Sequence, residues 1–161
     1  MSASTDEFIR LMTHPVKFRM FLLSKLPSAY FTGVRVVKAS PEQCVVSVPY
    51  KWFSKNPFRS TYFASLAMAA EMSTGALSMA HLYKRRPSVS MLLVKIEAEY
   101  FRKATGKSFF TCDEGLRIKE TIEESIHTGE PRSITVRSTG RNEVGEVIAE
   151  FLITWSFKAR S

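Results

Sequence analysis

The chain has 161 residues, of which 45% are hydrophobic and 24% charged, with 7 Gly and 7 Pro. This composition describes one globular domain and excludes a disordered, collagen-like or low-complexity chain. Lys and Arg total 23 against 15 for Asp and Glu, so the formal net charge is +8. Such a charge predicts an anionic partner: nucleic acid, a membrane surface or a phosphorylated small molecule.

The cysteine and histidine content predicts a reduced protein without a metal site. Two cysteines are too few for a disulfide framework, and the three histidines lack metal-ligand spacing. The first ten residues, MSASTDEFIR, carry acidic side chains where a secretory signal would carry basic ones. We therefore expect a cytoplasmic protein.

The chain opens with residues that favour helices. Residues 1–28 predict a helical extension, with Asp6 as a cap, Pro15 as the first residue of a second helix and Pro27 at its end. Strand alternation begins around Phe31, and a second strand follows a Ser-Pro-Glu turn.

An aromatic loop and one long helix come next. The loop covers residues 50–60, and residues 61–83 predict the helix, in which Glu71 is the one formal charge. The length would suit a membrane span, but the Ala, Ser, Thr and Gly content and the central carboxylate favour a helix surrounded by protein. We therefore expect no membrane partner.

The remaining elements alternate between strand and helix patterns. Residues 89–102 predict a half-buried strand, and a further strand through Phe109 and Phe110 follows a Thr-Gly turn. Three isoleucines at four-residue spacing predict a short inserted helix over residues 115–128, and residues 133–138 and 144–158 predict two closing strands. The expected apolar face of the first of these strands is Leu92, Val94, Ile96, Ala98 and Tyr100. The expected inward row of the last strand is Val147, Ala149, Phe151, Ile153, Trp155 and Phe157.

These elements favour an α+β fold within a single domain, residues 1–161. About six antiparallel strands would curl around the long central helix. One sheet cannot cover a helix that is apolar on every side, so a second copy of the chain should supply the missing cover. We expect a homodimer, or a tetramer built from it.

Two segments carry a family resemblance. NPFRSTYFASLAMAAE, from Asn56 to Glu71, is similar in its Asn-to-acid spacing to the phenylacetate-pathway type of acyl-CoA thioesterase in the hotdog-fold superfamily. It departs from that pattern at residues 59–60, where the family has Gly-Thr, and at residues 62–64, where it has His-Gly-Gly. YFRKATGK, residues 100–107, resembles the family's strand that ends in an Arg-Pro-Ala and Gly turn. The inserted helix and the closing WSFK resemble an uncharacterised bacterial branch of the superfamily.

The resemblance implies a hydrolase that cleaves an acyl-CoA or acyl-carrier-protein thioester at the dimer interface. Coenzyme A would be part of the substrate, with no separate cofactor. Glu71 would activate water or attack the thioester, Asn56 would position the water or the carbonyl, and the backbone amides of Phe63 and Ala64 would bind the oxyanion.

The residues themselves leave alternatives open. A buried carboxylate is costly unless it is paired, so Glu71 could instead pair with a base or with the partner subunit. Thr74 and Ser78 continue a polar stripe from Glu71 that would line the acyl tunnel. Asn56 could also be an ordinary turn residue before Pro57.

Cationic and aromatic residues complete the candidate site. Arg59 could pair with Glu71 or bind a substrate carboxylate or phosphate, and Tyr62 would narrow the mouth of the site beside Phe63. A basic cluster could hold the phosphates of coenzyme A, or could simply be a solvated edge. Its members are Lys84, Arg85, Arg86, Arg102 and Lys103.

A second function class accounts for the same residues. The tunnel could hold an acyl or other apolar ligand without turnover, with Arg59 neutralising Glu71. The charge also permits nucleic-acid binding, but neither a helix-turn-helix pattern nor an aromatic RNA-binding signature supports it, so we do not expect a nucleic-acid partner.

Overall fold

Three short helices begin the structure, a computed structural model described here for residues 2–160. They are α1 (Ala3–Thr13), α2 (Lys17–Lys25) and α3 (Pro27–Thr32). Phe8, Met12, Phe18 and Leu22 anchor the first two in the core.

The helical region differs from the prediction at its boundaries. α1 begins before Asp6, which lies in its first turn and does not cap it. α2 begins after Pro15, at Lys17. Pro27 opens α3 because proline suits the first position of a helix, so Phe31 is helical and not the start of a strand. Gly33, in the left-handed conformation with φ 86°, ends α3.

Six strands form one antiparallel sheet, which confirms the predicted α+β architecture. They are β1 (Arg35–Ala39), β2 (Cys44–Val48), β3 (Val89–Tyr100), β4 (Ser108–Cys112), β5 (Arg132–Arg141) and β6 (Val147–Ala159). Their order across the sheet is β1-β2-β4-β5-β6-β3. The sheet therefore has β3, one of its longest strands, at an exposed edge.

The central helix α4 (Phe63–Leu82) lies against the concave face of this sheet, with a single 3-10 turn (Trp52–Ser54) before it. The inserted helix is α5 (Gly115–Thr128). The inward row of β6 is buried as predicted from Ala149 to Phe157. No helix within residues 2–160 is both long and apolar enough to span a membrane.

A β-bulge in β3 corrects the predicted apolar face of that strand. The register against β6 shifts between Leu93 and Lys95, so that Leu92 lies opposite Ser156 whereas Ile96 lies opposite the buried Ile153. Directly opposed residues point to the same face of a sheet. Leu92 therefore faces away from α4 while Ile96 faces toward it, and the predicted single row is divided.

α4 is buried on most sides but leaves one stripe uncovered. Ala64, Ala67, Met68 and Glu71 are half-buried, and Met79 is exposed. These positions recur at helical spacing and form one face. The single sheet thus covers the helix incompletely.

Candidate active site

A cavity of about 550 Å³ opens at the N-terminal end of α4. It brings together five of the predicted site residues: Asn56, Tyr62, Phe63, Arg102 and Lys103. Its walls also include three aromatic side chains that were not predicted to belong to the site, namely Phe58, Tyr100 and Phe101. The cavity therefore has an apolar, aromatic lining with cations in it.

Asn56 organises the loop that leads into α4. Its Oδ1 accepts hydrogen bonds from the backbone N–H of Phe58 at 2.9 Å and of Ser60 at 3.2 Å. Its Nδ2 donates to Ser60 Oγ at 3.0 Å. This is the Asx-turn geometry expected of a turn asparagine. Its side chain lines the cavity, but both of its polar atoms already have partners within the loop.

The segment after β3 closes the cavity from the other side. The backbone N–H of Thr61 donates to the carbonyl of Ala104 at 2.7 Å, and its hydroxyl donates to the same oxygen at 3.1 Å. Lys103 Nζ donates to the carbonyl of Phe58 at 3.4 Å. These bonds hold Arg102 and Lys103 beside the start of α4.

Free backbone amides stand at the start of α4. Tyr62 occupies the cap position without a side-chain hydrogen bond, and its carbonyl accepts from the N–H of Ser65 and Leu66. The N–H groups of Phe63 and Ala64 have no acceptor among the described residues. Unsatisfied amides at a helix N-terminus, aligned with the helix dipole, favour negative charge. They are suited to bind an oxyanion.

Glu71 lies on the uncovered stripe of α4. Its Oε1 is close to Gly75, where an added Cβ would meet it at 2.9 Å, and the same Cβ would meet the Trp155 ring at 3.2 Å. Within residues 2–160, no hydrogen bond or ion pair engages its carboxylate, so Arg59 does not neutralise it in the single chain. Burial raises the pKa of this carboxyl above its ordinary value.

One chain does not bring Glu71 to the free amides. Glu71 follows Phe63 by eight residues, which along a helix is a rise of about 12 Å. A group acting on a bound thioester needs to be within about 3 Å of the reacting atom. The two parts of the predicted site are therefore present but separate in the single chain.

The hydroxyls of Thr74 and Ser78, which were predicted to line the acyl tunnel, are buried and already form hydrogen bonds within the protein. Thr74 Oγ1 donates to the Glu71 carbonyl at 2.9 Å and accepts from Trp155 Nε1 at 2.9 Å. Ser78 Oγ donates to the Thr74 carbonyl at 2.8 Å. The bond from Trp155 fastens α4 to β6, whereas the other two lie within α4. Neither side chain lines the cavity.

The predicted basic cluster is divided between the two ends of α4. Arg102 and Lys103 lie at its start, whereas Arg85 and Arg86 follow its end, about 30 Å away for a helix of 20 residues. Arg85 forms an ion pair with Glu123. One phosphate-bearing ligand on one chain cannot reach both ends.

Arg59 lies outside the cavity lining. It is exposed, with a left-handed backbone of φ 61° inside the Asn56 turn. Its backbone N–H donates to the Asn56 carbonyl at 3.3 Å. The side chain points into solvent near the mouth and remains available to an anion.

The six-stranded antiparallel sheet around one long central helix is the fold of the hotdog class. A solved structure from Pseudomonas aeruginosa, described as a probable thioesterase of unknown function, is 19% identical with a TM-score of 0.77 over 93% of this chain and 99% of that one. A thioesterase from Haemophilus influenzae is 12% identical with a TM-score of 0.65 over 92% and 95%. A mutant thioesterase from Pseudomonas aeruginosa is 14% identical with a TM-score of 0.67 over 92% and 96%. The predicted hotdog fold is thereby confirmed.

Within that class, the chain belongs to the DUF4442 family, a domain of unknown function, whose model matches residues 16–157. No curated protein matches the sequence.

Proposed function

We propose that the protein is a thioesterase-like hydrolase that cleaves an acyl-CoA or acyl-carrier-protein thioester at a site shared by two copies of the chain. The observation that carries this proposal is the state of Glu71. It is a half-buried carboxylate without a partner among the described residues, and its pKa is raised by burial. A half-buried carboxylate with a raised pKa and no partner of its own is typical of a catalytic group.

Two exposed features support a homodimer. The stripe of α4 that carries Glu71 is uncovered, and β3 is an edge strand that exposes Leu92 (66%) and Val94 (56%) as well as Ile96 (40%). A long, apolar, unpaired edge is a ready site for pairing with another chain. A second copy on this edge would bring its own α4 stripe near the first.

A symmetric dimer would also complete the site. Glu71 of each chain is about 12 Å from its own Phe63 amide, but a twofold axis between the helices would place it opposite the amide of the other chain. Each dimer would then have two equivalent sites, one at each end of the paired helices.

The chemistry follows from the groups at this site. As a base, the Glu71 carboxylate takes a proton from water while the oxygen of that water attacks the thioester carbonyl carbon. The amides of Phe63 and Ala64 stabilise the negative charge on the carbonyl oxygen. The C–S bond then breaks, and the thiolate leaves with the proton that Glu71 took up. As a nucleophile, the Glu71 carboxylate would attack the carbonyl carbon and expel the thiolate as the C–S bond breaks. Water would then cleave the resulting anhydride, which releases the acid and restores the carboxylate.

The cations at the mouth suit the handle of such a substrate. Arg102 has only a distant ion pair, at 4.0 Å with Glu146, and Lys103 contacts a carbonyl. Both therefore remain available to phosphate groups of coenzyme A or of a carrier protein's prosthetic arm. Arg59 could join them from the loop.

Thiol release from a panel of acyl-CoA and acyl-carrier-protein substrates tests the proposal. We expect turnover by the wild type and a loss of about a hundredfold or more in Glu71→Gln. Glu123→Gln removes an exposed acid of α5 that pairs with Arg85 beyond the C-terminal end of α4. It is the matched control and should retain the wild-type rate. Hydrolysis that survives in Glu71→Gln would contradict the role of this residue.

Ligand binding without turnover is the second candidate. It is favoured by the commitment of both polar atoms of Asn56 to the loop and by the bulky Tyr62 and Phe63 side chains at the mouth. Tight binding of an acyl-CoA with no thiol release from any member of the panel would support it.

A further inference from the structure

The loop before α4 exposes large aromatic side chains that the proposed reaction does not use. Trp52 is 73% exposed and Phe53 56% exposed, and neither lines the cavity. Phe58, at its rim, is 70% exposed. Monomeric proteins rarely leave contiguous apolar surface of this kind uncovered without a partner for it.

The exposure of these rings is built into the loop. Ser54 is fully buried and its Oγ donates to the Pro49 carbonyl at 2.6 Å while accepting from the Lys51 N–H at 3.0 Å. Its carbonyl accepts from the Tyr62 N–H at 2.7 Å. With Ser54 held inward, the short 3-10 turn directs Trp52 and Phe53 outward.

Cations flank these rings along the chain, and Lys103 Nζ donates to the carbonyl of Phe58 at 3.4 Å. Lys51, Lys55, Arg59 and Lys103 are all exposed, and none forms an ion pair within residues 2–160. The sequence has no acidic residue between Glu42 and Glu71. We call the surface formed by Trp52, Phe53, Phe58, Lys51, Lys55, Arg59 and Lys103 the aromatic-basic patch.

The charge of the patch selects the kind of partner. A second copy seated patch to patch would bring four unpaired cations against four others, which is unfavourable. The partner should therefore be anionic. An acidic protein would need pockets shaped for each ring, whereas the interfacial zone of a bilayer accepts Trp and Phe among its head groups and attracts cations placed beside them.

We propose that the aromatic-basic patch docks the protein on the surface of an anionic lipid bilayer. Trp52 and Phe53 would enter the head-group zone, and the four cations would lie over the lipid phosphates. The sequence predicted no membrane partner because the central helix does not span a bilayer, and the proposal concerns the bilayer surface only. It does not depend on thioester hydrolysis.

Vesicle binding tests the proposal with a native reporter. The protein has two tryptophans, of which Trp155 is buried, so a change of fluorescence on docking reports Trp52. We expect co-sedimentation and a blue shift with vesicles that contain phosphatidylglycerol, little binding to pure phosphatidylcholine, and weakening by salt.

Variants separate the contributions of the rings and the cations. Lys51→Gln with Lys55→Gln should weaken vesicle binding by about fivefold for each charge removed. Trp52→Ser with Phe53→Ser should weaken it at least as much. The control, Lys119→Gln with Lys158→Gln, removes the same charge at the other end of the fold and should bind like the wild type.

Three kinds of result would overturn the proposal. The first is vesicle binding that is insensitive to the features proposed: equal binding to both kinds of vesicle, or unchanged binding by the patch variants. The second is a smaller sedimentation coefficient for Trp52→Ser with Phe53→Ser, which would make the patch a contact between copies of the chain. The third is saturable binding of an acidic carrier protein by the patch when vesicles are not bound.

Discussion

The carboxylate of Glu71 lies directly over Gly75, one helical turn further along α4. A methyl group at Gly75 would come within 2.9 Å of Glu71 Oε1 and 3.2 Å of the Trp155 ring. The missing side chain at Gly75 thus leaves room for the carboxylate between its own helix and the indole. In this account Gly75 is a positioning residue for Glu71.

Gly75→Ala should therefore separate activity from stability. Alanine favours a helix over glycine by about 1 kcal/mol, which offsets the crowding against Trp155. The Glu71 carboxylate, being the free end of a flexible side chain, should move away from its present place. We expect kcat to fall about tenfold or more with KM little changed, as measured by thiol release. If Gly75→Ala retained the wild-type kcat, the positioning role of Gly75 would be contradicted.

The oxyanion assignment can be tested by removing one N–H without unfolding the helix. Phe63 is the first residue of α4, where proline is favoured, and Tyr62 before it has the extended backbone that proline tolerates. Phe63→Pro should lower kcat by roughly 10²–10³ because an oxyanion donor is lost. Phe63→Ala keeps the amide and loses the ring, so it should retain kcat; equal losses in both variants would contradict the assignment.

The raised pKa of Glu71 makes stability depend on pH. A carboxyl whose pKa is higher in the folded state binds its proton more tightly there, so its contribution is present below the unfolded value of 4.5 and is lost as the pH rises through the folded value. Below about pH 4, Glu71→Gln and the wild type should have similar free energies of unfolding. At higher pH the free energy of unfolding of the wild type should fall below that of Glu71→Gln. Urea titration of both proteins across the pH range measures this difference. A constant difference across pH would contradict this.

The hydrogen bond from Trp155 to Thr74 should contribute to the stability of the fold and not to the reaction. Thr74→Val keeps the shape of the side chain but leaves the buried indole N–H without its acceptor at 2.9 Å. We expect a loss of about 1–3 kcal/mol in the free energy of unfolding. Thr74→Ser keeps the hydroxyl and should lose only about 1 kcal/mol for the missing methyl. Equal losses of stability in Thr74→Val and Thr74→Ser would show that side-chain packing, and not the hydrogen bond, makes the contribution.

The sequence predicted the fold well where its periodicity was strong. Three isoleucines at four-residue spacing identified α5, and the alternating row from Ala149 to Phe157 identified the inward face of β6. The prediction failed in β3, where a β-bulge interrupts the two-residue alternation of the strand. The extra residue near Val94 in β3 reverses the faces, and alternation alone does not reveal a bulge.

The site could be predicted only in part. Spacing and resemblance placed Asn56 and Phe63 at one cavity, but the lining by Tyr100 and Phe101 depends on how the end of β3 returns to the loop. Thr74 and Ser78 share a helical face with Glu71, yet their hydroxyls bond to backbone and indole, which sequence spacing does not show. Gly75 was visible in the sequence, but only the nearby Glu71 and Trp155 side chains give it a role.

The central claim is that Glu71 of one chain acts with the Phe63 amide of another, and a mixed dimer tests it most directly. Glu71→Gln and Phe63→Pro chains carrying different tags would be co-expressed and the heterodimer isolated through both tags. Its parents should each be inactive. One of the two shared sites then combines an intact Glu71 with an intact amide, so we expect about half of the wild-type rate of thiol release per dimer. A heterodimer as inactive as both parents would place the two groups in the same chain's site and contradict the shared arrangement.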